Sequence, residues 1–166
     1  VEIEITKVDP ASLLRSMAND YKKDVDTKKL KLTVSTAKDT KEIFTSEIYL
    51  REILQNFVTN SVKYTKKGGL ILHVRSNKNG DAVFSIADTG IGLSKADQTR
   101  IFEKFFRSED YRTRESAGTG LGLYVTSKLA HRLGATISVE STLNKGSTFT
   151  ITCPSMGEPK THSNNK

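Results

Sequence analysis

Three glycines alternate with other residues directly before a segment of helical periodicity, and this restricts the folds open to the chain. Residues 117–123 read AGTGLGL, and the sequence continues as YVTSKLAHRL, whose apolar residues recur at helical spacing. Backbone amides at a helix N-terminus bind phosphate because they are unpaired and lie at the positive end of the helix dipole. The segment therefore predicts a phosphate site at the start of a helix.

Two common nucleotide-binding patterns do not fit these glycines. The dinucleotide fingerprint needs a glycine where the chain has Leu123, and it needs a strand where the chain has YRTRESA. The phosphate loop that ends in Gly-Lys-Ser or Gly-Lys-Thr is absent from the sequence. A different nucleotide fold is expected.

The rest of the chain predicts strands that come mainly as hairpins, with helices gathered between them. Helices are predicted over 10–26, from a Ser46 cap to about Thr65, from near Ser94 for a short stretch, and from the glycines to Leu133. Strands are predicted over 1–8, 30–36, 70–76, 82–88, 135–141 and 147–153. This order predicts an α+β fold in which helices cover one face of a mixed, mainly antiparallel sheet.

Composition narrows the class of partner. The net charge of +7 permits nucleic acid, a membrane surface or a polyanionic ligand, but the lysines are interspersed with acidic residues, as in YKKDVDTKKLK (21–31). Cys153 is the only cysteine, and no long apolar run exists. We expect a cytoplasmic piece that does not span a membrane and binds no nucleic acid. Its abrupt start suggests a piece of a longer chain, and 155–166 is expected to be a disordered tail.

Two further polar motifs accompany the glycines. In LQNFVTNSVKYT (54–65), Asn56, Asn60 and Lys63 fall within about 60° of one another on the helix. This stripe fits either a solvated face or a site for magnesium and triphosphate, since amide oxygens are hard ligands. A second glycine pair lies in DTGIGL (88–93), where turns alone are the other explanation.

Four motifs together resemble one family. NFVTNSVKYT resembles the N box, DTGIGL the G1 box, FEKFFR (102–107) the F box and GTGLGL the G2 box of the ATP-binding domain of bacterial sensor histidine kinases. The resemblance covers nearly the whole chain in the family's order. It implies a Bergerat-type two-layer α/β sandwich over 1–154, with about five strands, three helices and a mobile ATP lid over about 93–118.

The resemblance also implies ligand-binding roles for residues of the N and G1 boxes. Asp88 would accept a hydrogen bond from the adenine amino group, where guanine has a carbonyl. Asn60 would hold Mg²⁺ with support from Asn56. Lys63 would reach the phosphates of ATP, and Tyr64 would pack near the ribose or base.

Further roles fall on the glycine segments and the lid. Gly90 and Gly92 would bring the backbone close to the base and hinge the lid. Arg107 would contact the γ-phosphate and Arg112 is a second candidate, although exposed salt bridges are the alternative for both. Ser147 would join the water network around adenine, or would merely serve its turn. The backbone amides that would hold phosphate oxygens belong to Thr119, Gly120, Leu121, Gly122 and Leu123.

Asn56 separates phosphoryl transfer from hydrolysis. Hydrolytic members of this superfamily place a glutamate at its position to activate water, and an amide cannot act as a general base. Transfer to a histidine is therefore expected. Since His73, His131 and His162 do not match the family's acceptor context, we expect the acceptor on a helix pair that precedes Val1 in the parent chain. The isolated piece should then phosphorylate itself poorly or not at all.

Three interpretations stay open on sequence alone. The favoured one is the catalytic domain of a sensor histidine kinase, with ATP and Mg²⁺, an acceptor domain of the same protein and a response regulator receiver domain as partners. The second is an ATP-gated binding module or degenerate kinase, and a hydrolytic ATPase is less favoured. The third is a basic nucleic-acid-binding domain, which would show steep salt dependence on DNA.

Overall fold

The computed structural model describes residues 3–108, 110 and 122–159. Within these residues the helices and strands follow one another as β1 (Thr6–Val8), α1 (Pro10–Thr27), β2 (Lys31–Thr36), β3 (Ile43–Thr45), α2 (Glu47–Lys63), β4 (Gly69–Ser76), β5 (Ala82–Asp88), α3 (Lys95–Gln98), α4 (Gly122–Arg132), β6 (Thr136–Thr142) and β7 (Gly146–Cys153). The predicted α+β class is confirmed.

Local capping signals set the helix boundaries. Asp9 caps α1 by accepting a hydrogen bond from the Ala11 amide at 3.0 Å, and a proline occupies the first helical position. Ser46 caps α2 by accepting from the Tyr49 amide at 3.2 Å. Gly134, with φ +65°, follows the end of α4. These boundaries agree with the predicted ones.

The main sheet has five strands in the order β2-β4-β5-β7-β6. β2 runs parallel to β4, and the other neighbouring strands pair antiparallel, so the predicted mixed sheet is confirmed. Helices α1, α2 and α4 pack on it, and the core lies between the two layers. Phe57 of α2 stacks on Phe149 of β7, with ring centroids 5.2 Å apart. None of the described helices combines the length and apolar character needed to cross a membrane.

The sequence did not predict β3. It pairs antiparallel with β1 in a separate two-stranded sheet, with Val8 opposite Ile43. β1 is also shorter than the strand predicted over 1–8. A three-residue strand whose partner lies far away in sequence has too few alternating positions to be recognised from periodicity.

The first residues of the predicted tail are held against β3. The Phe44 amide donates to Ser155 Oγ at 2.9 Å, and the Met156 amide donates to the Phe44 carbonyl at 2.6 Å. Ser155 and Met156 thus supply hydrogen bonds to an edge strand, and the expectation of a disordered tail over 155–166 stays a prediction. Residues 160–166 lie outside the described part of the chain.

Candidate nucleotide site

A cavity of about 430 Å³ opens between α2, the end of β5, the segment that follows β5, and the start of α4. Its volume lies within the range of small-ligand sites, roughly 300–1,000 Å³. Of the residues predicted from sequence, it is lined by Asn56, Asn60, Lys63, Tyr64, Asp88, Gly92, Arg107, Gly122, Leu123 and Ser147. All four motifs thus contribute to one cavity.

Some of the predicted site residues are not among those that line the cavity. Gly90 packs behind it and does not line the cavity. Arg112, Thr119, Gly120 and Leu121 lie outside the described residues, so their contacts with a ligand stay predictions.

Several lining residues were not predicted from the sequence, and most of them are apolar: Thr59, Ile91, Leu93, Ile101, Phe106, Ser108 and Phe149. For Thr59 the signal was its position one helical turn after Asn56. For Ile91 and Leu93 it was their place inside the glycine motif.

The end of the cavity where the base of a nucleotide is expected, here called the base end, is built around Asp88, the last residue of β5. Its Oδ1 accepts hydrogen bonds from the amides of Gly90, at 2.9 Å, and Ser147, at 3.1 Å. No hydrogen bond from the described residues reaches Oδ2. The carboxylate is therefore fixed by backbone and keeps one oxygen for a donor, such as an exocyclic amino group.

Ser147 is tied to the root of the segment that follows β5. Its hydroxyl lies 2.8 Å from the hydroxyl of Ser141, which accepts from the Leu93 amide at 2.7 Å and donates to the Gly146 carbonyl at 3.0 Å. The Gln98 side chain pairs with the backbone of Ser141, at 3.0 Å to its carbonyl and 3.1 Å to its amide. The start of the predicted lid is therefore bound to β6.

The two glycines of DTGIGL are required by close backbone packing. Gly92 has φ +68°, and an added Cβ would lie 2.1 Å from the Thr142 carbonyl oxygen. At Gly90 it would lie 2.5 Å from the Tyr64 carbonyl oxygen, which also accepts from the Ile91 amide at 3.1 Å. These glycines bring the motif against β6 and against the end of α2.

The opposite end of the cavity is lined by the polar stripe of α2. Asn56 donates through Nδ2 to Thr126 Oγ1 of α4 at 2.9 Å. Within the described chain, the half-buried Asn60 side chain forms no hydrogen bond. Lys63 places its ammonium 5.4 Å from the centroid of the Tyr64 ring. Two amide groups and an ammonium therefore lie on one wall, as the helical spacing predicts.

A second lysine caps the C-terminus of α2 close to this wall. The Lys28 ammonium donates to the carbonyls of Val62 and Lys63, and burial lowers the pKa of Lys28. Positive charge at this helix end is favourable because it meets unpaired carbonyls and the negative end of the helix dipole.

Arg107 reaches the cavity from the F-box segment. Its neighbour Phe106 lies under the Arg100 guanidinium, 5.0 Å from ring centroid to Cζ, and its other neighbour Ser108 donates to Asp97 Oδ2 at 2.6 Å. Both contacts run to residues within or just after α3. Arg107 is thus held between two anchored neighbours.

The start of α4 completes the wall with Gly122 and Leu123. A Cβ added to Gly122 would meet no atom within 4 Å. Unlike Gly92, this glycine is not needed for packing among the described residues.

Comparison with known proteins identifies the family. The model of the "Histidine kinase-, DNA gyrase B-, and HSP90-like ATPase" family matches residues 45–156. The sensor-like histidine kinase SenX3 of Mycolicibacterium smegmatis is 30% identical over 163 residues, covering 98% of this chain and 42% of that protein. The autoinducer 2 sensor kinase/phosphatase LuxQ of Vibrio parahaemolyticus is 35% identical over 150 residues, covering 87% of this chain and 18% of that protein. The chain thus spans less than half the length of these curated relatives.

Solved structures agree. Full-length ShkA in complex with AMPPNP superposes with a TM-score of 0.84 at 32% identity, covering 93% of this chain and 32% of that one. The nucleotide-free catalytic domain of the histidine kinase ThkA has a TM-score of 0.79 at 20% identity, covering 92% and 98%, and shows the fold alone. The chain therefore belongs to the histidine kinase-, DNA gyrase B- and HSP90-like ATPase family, within which it is a catalytic domain of the sensor histidine kinase type.

Proposed function

We propose that this domain binds ATP with Mg²⁺ and donates the γ-phosphoryl group to a histidine on a separate dimerisation and phosphoacceptor domain, in two-component signalling. The observation that supports this proposal most strongly is the cavity. A carboxylate held by backbone amides lines one of its ends, and a stripe of amide and ammonium groups lines the other. The complex of the relative ShkA with AMPPNP supports an adenine nucleotide as ligand.

Asp88 selects the base in this proposal. Its Oδ1 is already occupied by two backbone amides, so Oδ2 accepts the hydrogen bond from the adenine amino group. Guanine presents a carbonyl at that place, and two facing acceptors repel. Ser147, whose hydroxyl is held by Ser141, would join the water network beside the base.

The triphosphate lies against the opposite end of the cavity. Amide oxygens of Asn56 and Asn60 fit Mg²⁺, and the absence of a hydrogen bond to the Asn60 side chain within the described residues suits a group whose partner is the ligand. Bound Mg²⁺ would neutralise phosphate charge as the phosphoryl group transfers. Lys63 and Arg107 would hold the phosphate oxygens, together with the amides at the start of α4.

The scarcity of acidic side chains in the described lining of the cavity favours phosphoryl transfer over hydrolysis. Among the described residues, Asp88 is the only acidic side chain in its lining, and it is engaged by backbone amides at the base end. Asn56 cannot remove a proton from water. Neither His73, which is hydrogen bonded to Ser35 at 2.6 Å, nor the exposed His131 lines the cavity. A histidine on another domain is thus the proposed acceptor. A receiver domain would take the phosphoryl group from that histidine in the next step.

A transfer assay tests this function. The domain is mixed with Mg²⁺, γ-labelled ATP and the acceptor domain of its parent protein. We expect an acid-labile, base-stable phosphate on the acceptor and little release of inorganic phosphate when the acceptor is omitted.

Two results would contradict the proposal. Fast phosphate release without an acceptor would indicate a hydrolytic ATPase. Nucleotide binding without any phosphohistidine on the acceptor would indicate a nucleotide-gated module instead.

A further inference from the structure

We infer that Thr126 of α4 is a positioning residue that turns the side-chain oxygen of Asn56 toward the cavity and thereby raises the affinity for Mg²⁺. The inference rests on the proposed function, because it concerns the metal end of the same site. Thr126 is not among the residues that line the cavity, so it acts through Asn56 and not on the ligand directly.

Two hydrogen bonds connect the residues involved. Asn56 Nδ2 donates to Thr126 Oγ1 at 2.9 Å, and Thr126 Oγ1 donates to the Gly122 carbonyl at 2.9 Å. Thr126 is fully buried, with 0% of its surface exposed. Water therefore cannot replace either bond without entering the interface between α2 and α4.

The single proton of the hydroxyl determines which way the asparagine amide faces. The Gly122 carbonyl can only accept, so it takes the Thr126 proton. Thr126 Oγ1 is then left with lone pairs alone and needs a donor. The nitrogen and oxygen of an asparagine amide have nearly the same shape, so a network of this kind decides between its two orientations. Only the orientation with Nδ2 toward Thr126 leaves no facing acceptors in the buried interface.

This orientation sends Oδ1 of Asn56 to the cavity side, one helical turn from Asn60. Two amide oxygens are then available to a hard cation. Because the second of the two hydrogen bonds ends at the Gly122 carbonyl, the pair also joins Asn56 to the first turn of α4. Groups that orient metal ligands in this way typically contribute 10- to 100-fold to metal affinity.

Matched variants separate orientation from packing. Thr126→Val keeps the shape of the side chain and removes the acceptor, whereas Thr126→Ser keeps the hydroxyl. Thr45→Val is the control, because Thr45 is also fully buried, bonds to Cys153 Sγ at 3.6 Å and does not line the cavity.

The test is binding of AMPPNP by the whole chain in a Mg²⁺ titration and in EDTA. We expect Thr126→Val to raise the Mg²⁺ concentration for half-maximal binding by about tenfold or more. Its affinity in EDTA should stay within about twofold of wild type, as should the Mg²⁺ midpoints of Thr126→Ser and Thr45→Val. Thr126→Ala removes the same acceptor and should shift the midpoint equally, so it replaces the valine variant where that one does not fold.

A double-mutant cycle with Asn56→Ala completes the test. In the Asn56→Ala background, Thr126→Val should cause no further shift of the Mg²⁺ midpoint. An unchanged midpoint in Thr126→Val alone, or the same shift with and without Asn56, overturns the inference. A wild-type chain that does not bind AMPPNP at all would overturn the proposed function together with this inference. That outcome is distinguishable from the two above, in which the wild-type chain binds AMPPNP normally.

Discussion

The two ends of the cavity are held in different ways. At the base end, backbone amides of Gly90 and Ser147 fix the Asp88 carboxylate, and Gly92 packs against β6 without room for a Cβ. At the other end, where the phosphates are proposed to bind (the phosphate end), side chains form the wall, and the Asn60 side chain has no hydrogen bond within the described chain. The base end is therefore complete as part of the fold, whereas the proposed function has the ligand complete the phosphate end. Adding a Cβ at Gly92 should therefore cost stability, whereas substitutions of side chains that face the proposed ligand at either end should cost binding.

The largest expected effect is on the fold at Gly92. Gly92→Ala places a Cβ 2.1 Å from a backbone oxygen at φ +68°, so we expect unfolding free energy to fall by about 3–4 kcal/mol. Gly80→Ala is the control, since Gly80 has φ +82° but no atom within 4 Å of an added Cβ, and should cost about 1 kcal/mol. Urea denaturation measures both. Equal losses of unfolding free energy in the two variants would show that close packing against Thr142 is not the reason why position 92 needs a glycine.

Asp88→Asn tests the base end through binding. The asparagine oxygen can still accept from the amides of Gly90 and Ser147, so we expect stability to change by less than about 1 kcal/mol. The new amide nitrogen would face the adenine amino group, and ATP affinity should fall about 100-fold, or about 2.8 kcal/mol. Calorimetric titration gives the affinity, with the exposed Asp26→Asn as control. An unchanged affinity would remove Asp88 from the site.

Asn60→Ala tests the phosphate end. Because the Asn60 side chain has no hydrogen bond among the described residues and alanine favours helix, stability should change by no more than about 0.5 kcal/mol. Mg²⁺-dependent ATP binding should weaken about 10- to 30-fold, or about 1.4–2 kcal/mol. The exposed Glu52→Ala on the same helix should alter neither quantity. A large loss of stability in Asn60→Ala would mean that the fold, not the ligand, requires this residue.

Gly122→Ala should leave the fold intact and stabilise it slightly. Its Cβ meets no atom within 4 Å and alanine favours helix, so unfolding free energy should rise by up to about 1 kcal/mol. Nucleotide binding should weaken at the same time, since the methyl group enters the phosphate end. Thermal melting with and without AMPPNP measures both changes. A destabilised variant would place Gly122 with Gly92 and weaken the contrast between the ends.

Most of the site could be predicted because its signals are local. Asn56, Asn60 and Lys63 share a face through helical spacing alone, and the caps at Asp9 and Ser46 act within one turn. Glycines that the fold requires were also visible, although their close neighbours were not.

The rest depends on packing between distant segments. The bond from Asn56 to Thr126 joins residues 70 positions apart, and the pairing of Gln98 with Ser141 joins residues 43 apart. Neither threonine nor glutamine carries a local signal for such a contact. β3 is similar, because its three residues become a strand only beside β1.

Calorimetric titration of the whole chain with AMPPNP and GMPPNP in Mg²⁺ tests the central claim most directly. A base end preorganised around Asp88 predicts saturable binding of AMPPNP and binding of GMPPNP at least about 100-fold weaker, because a carboxylate held by backbone amides can only accept and cannot pair with the guanine carbonyl. Equal binding of the two nucleotides, or no binding of AMPPNP, would contradict it.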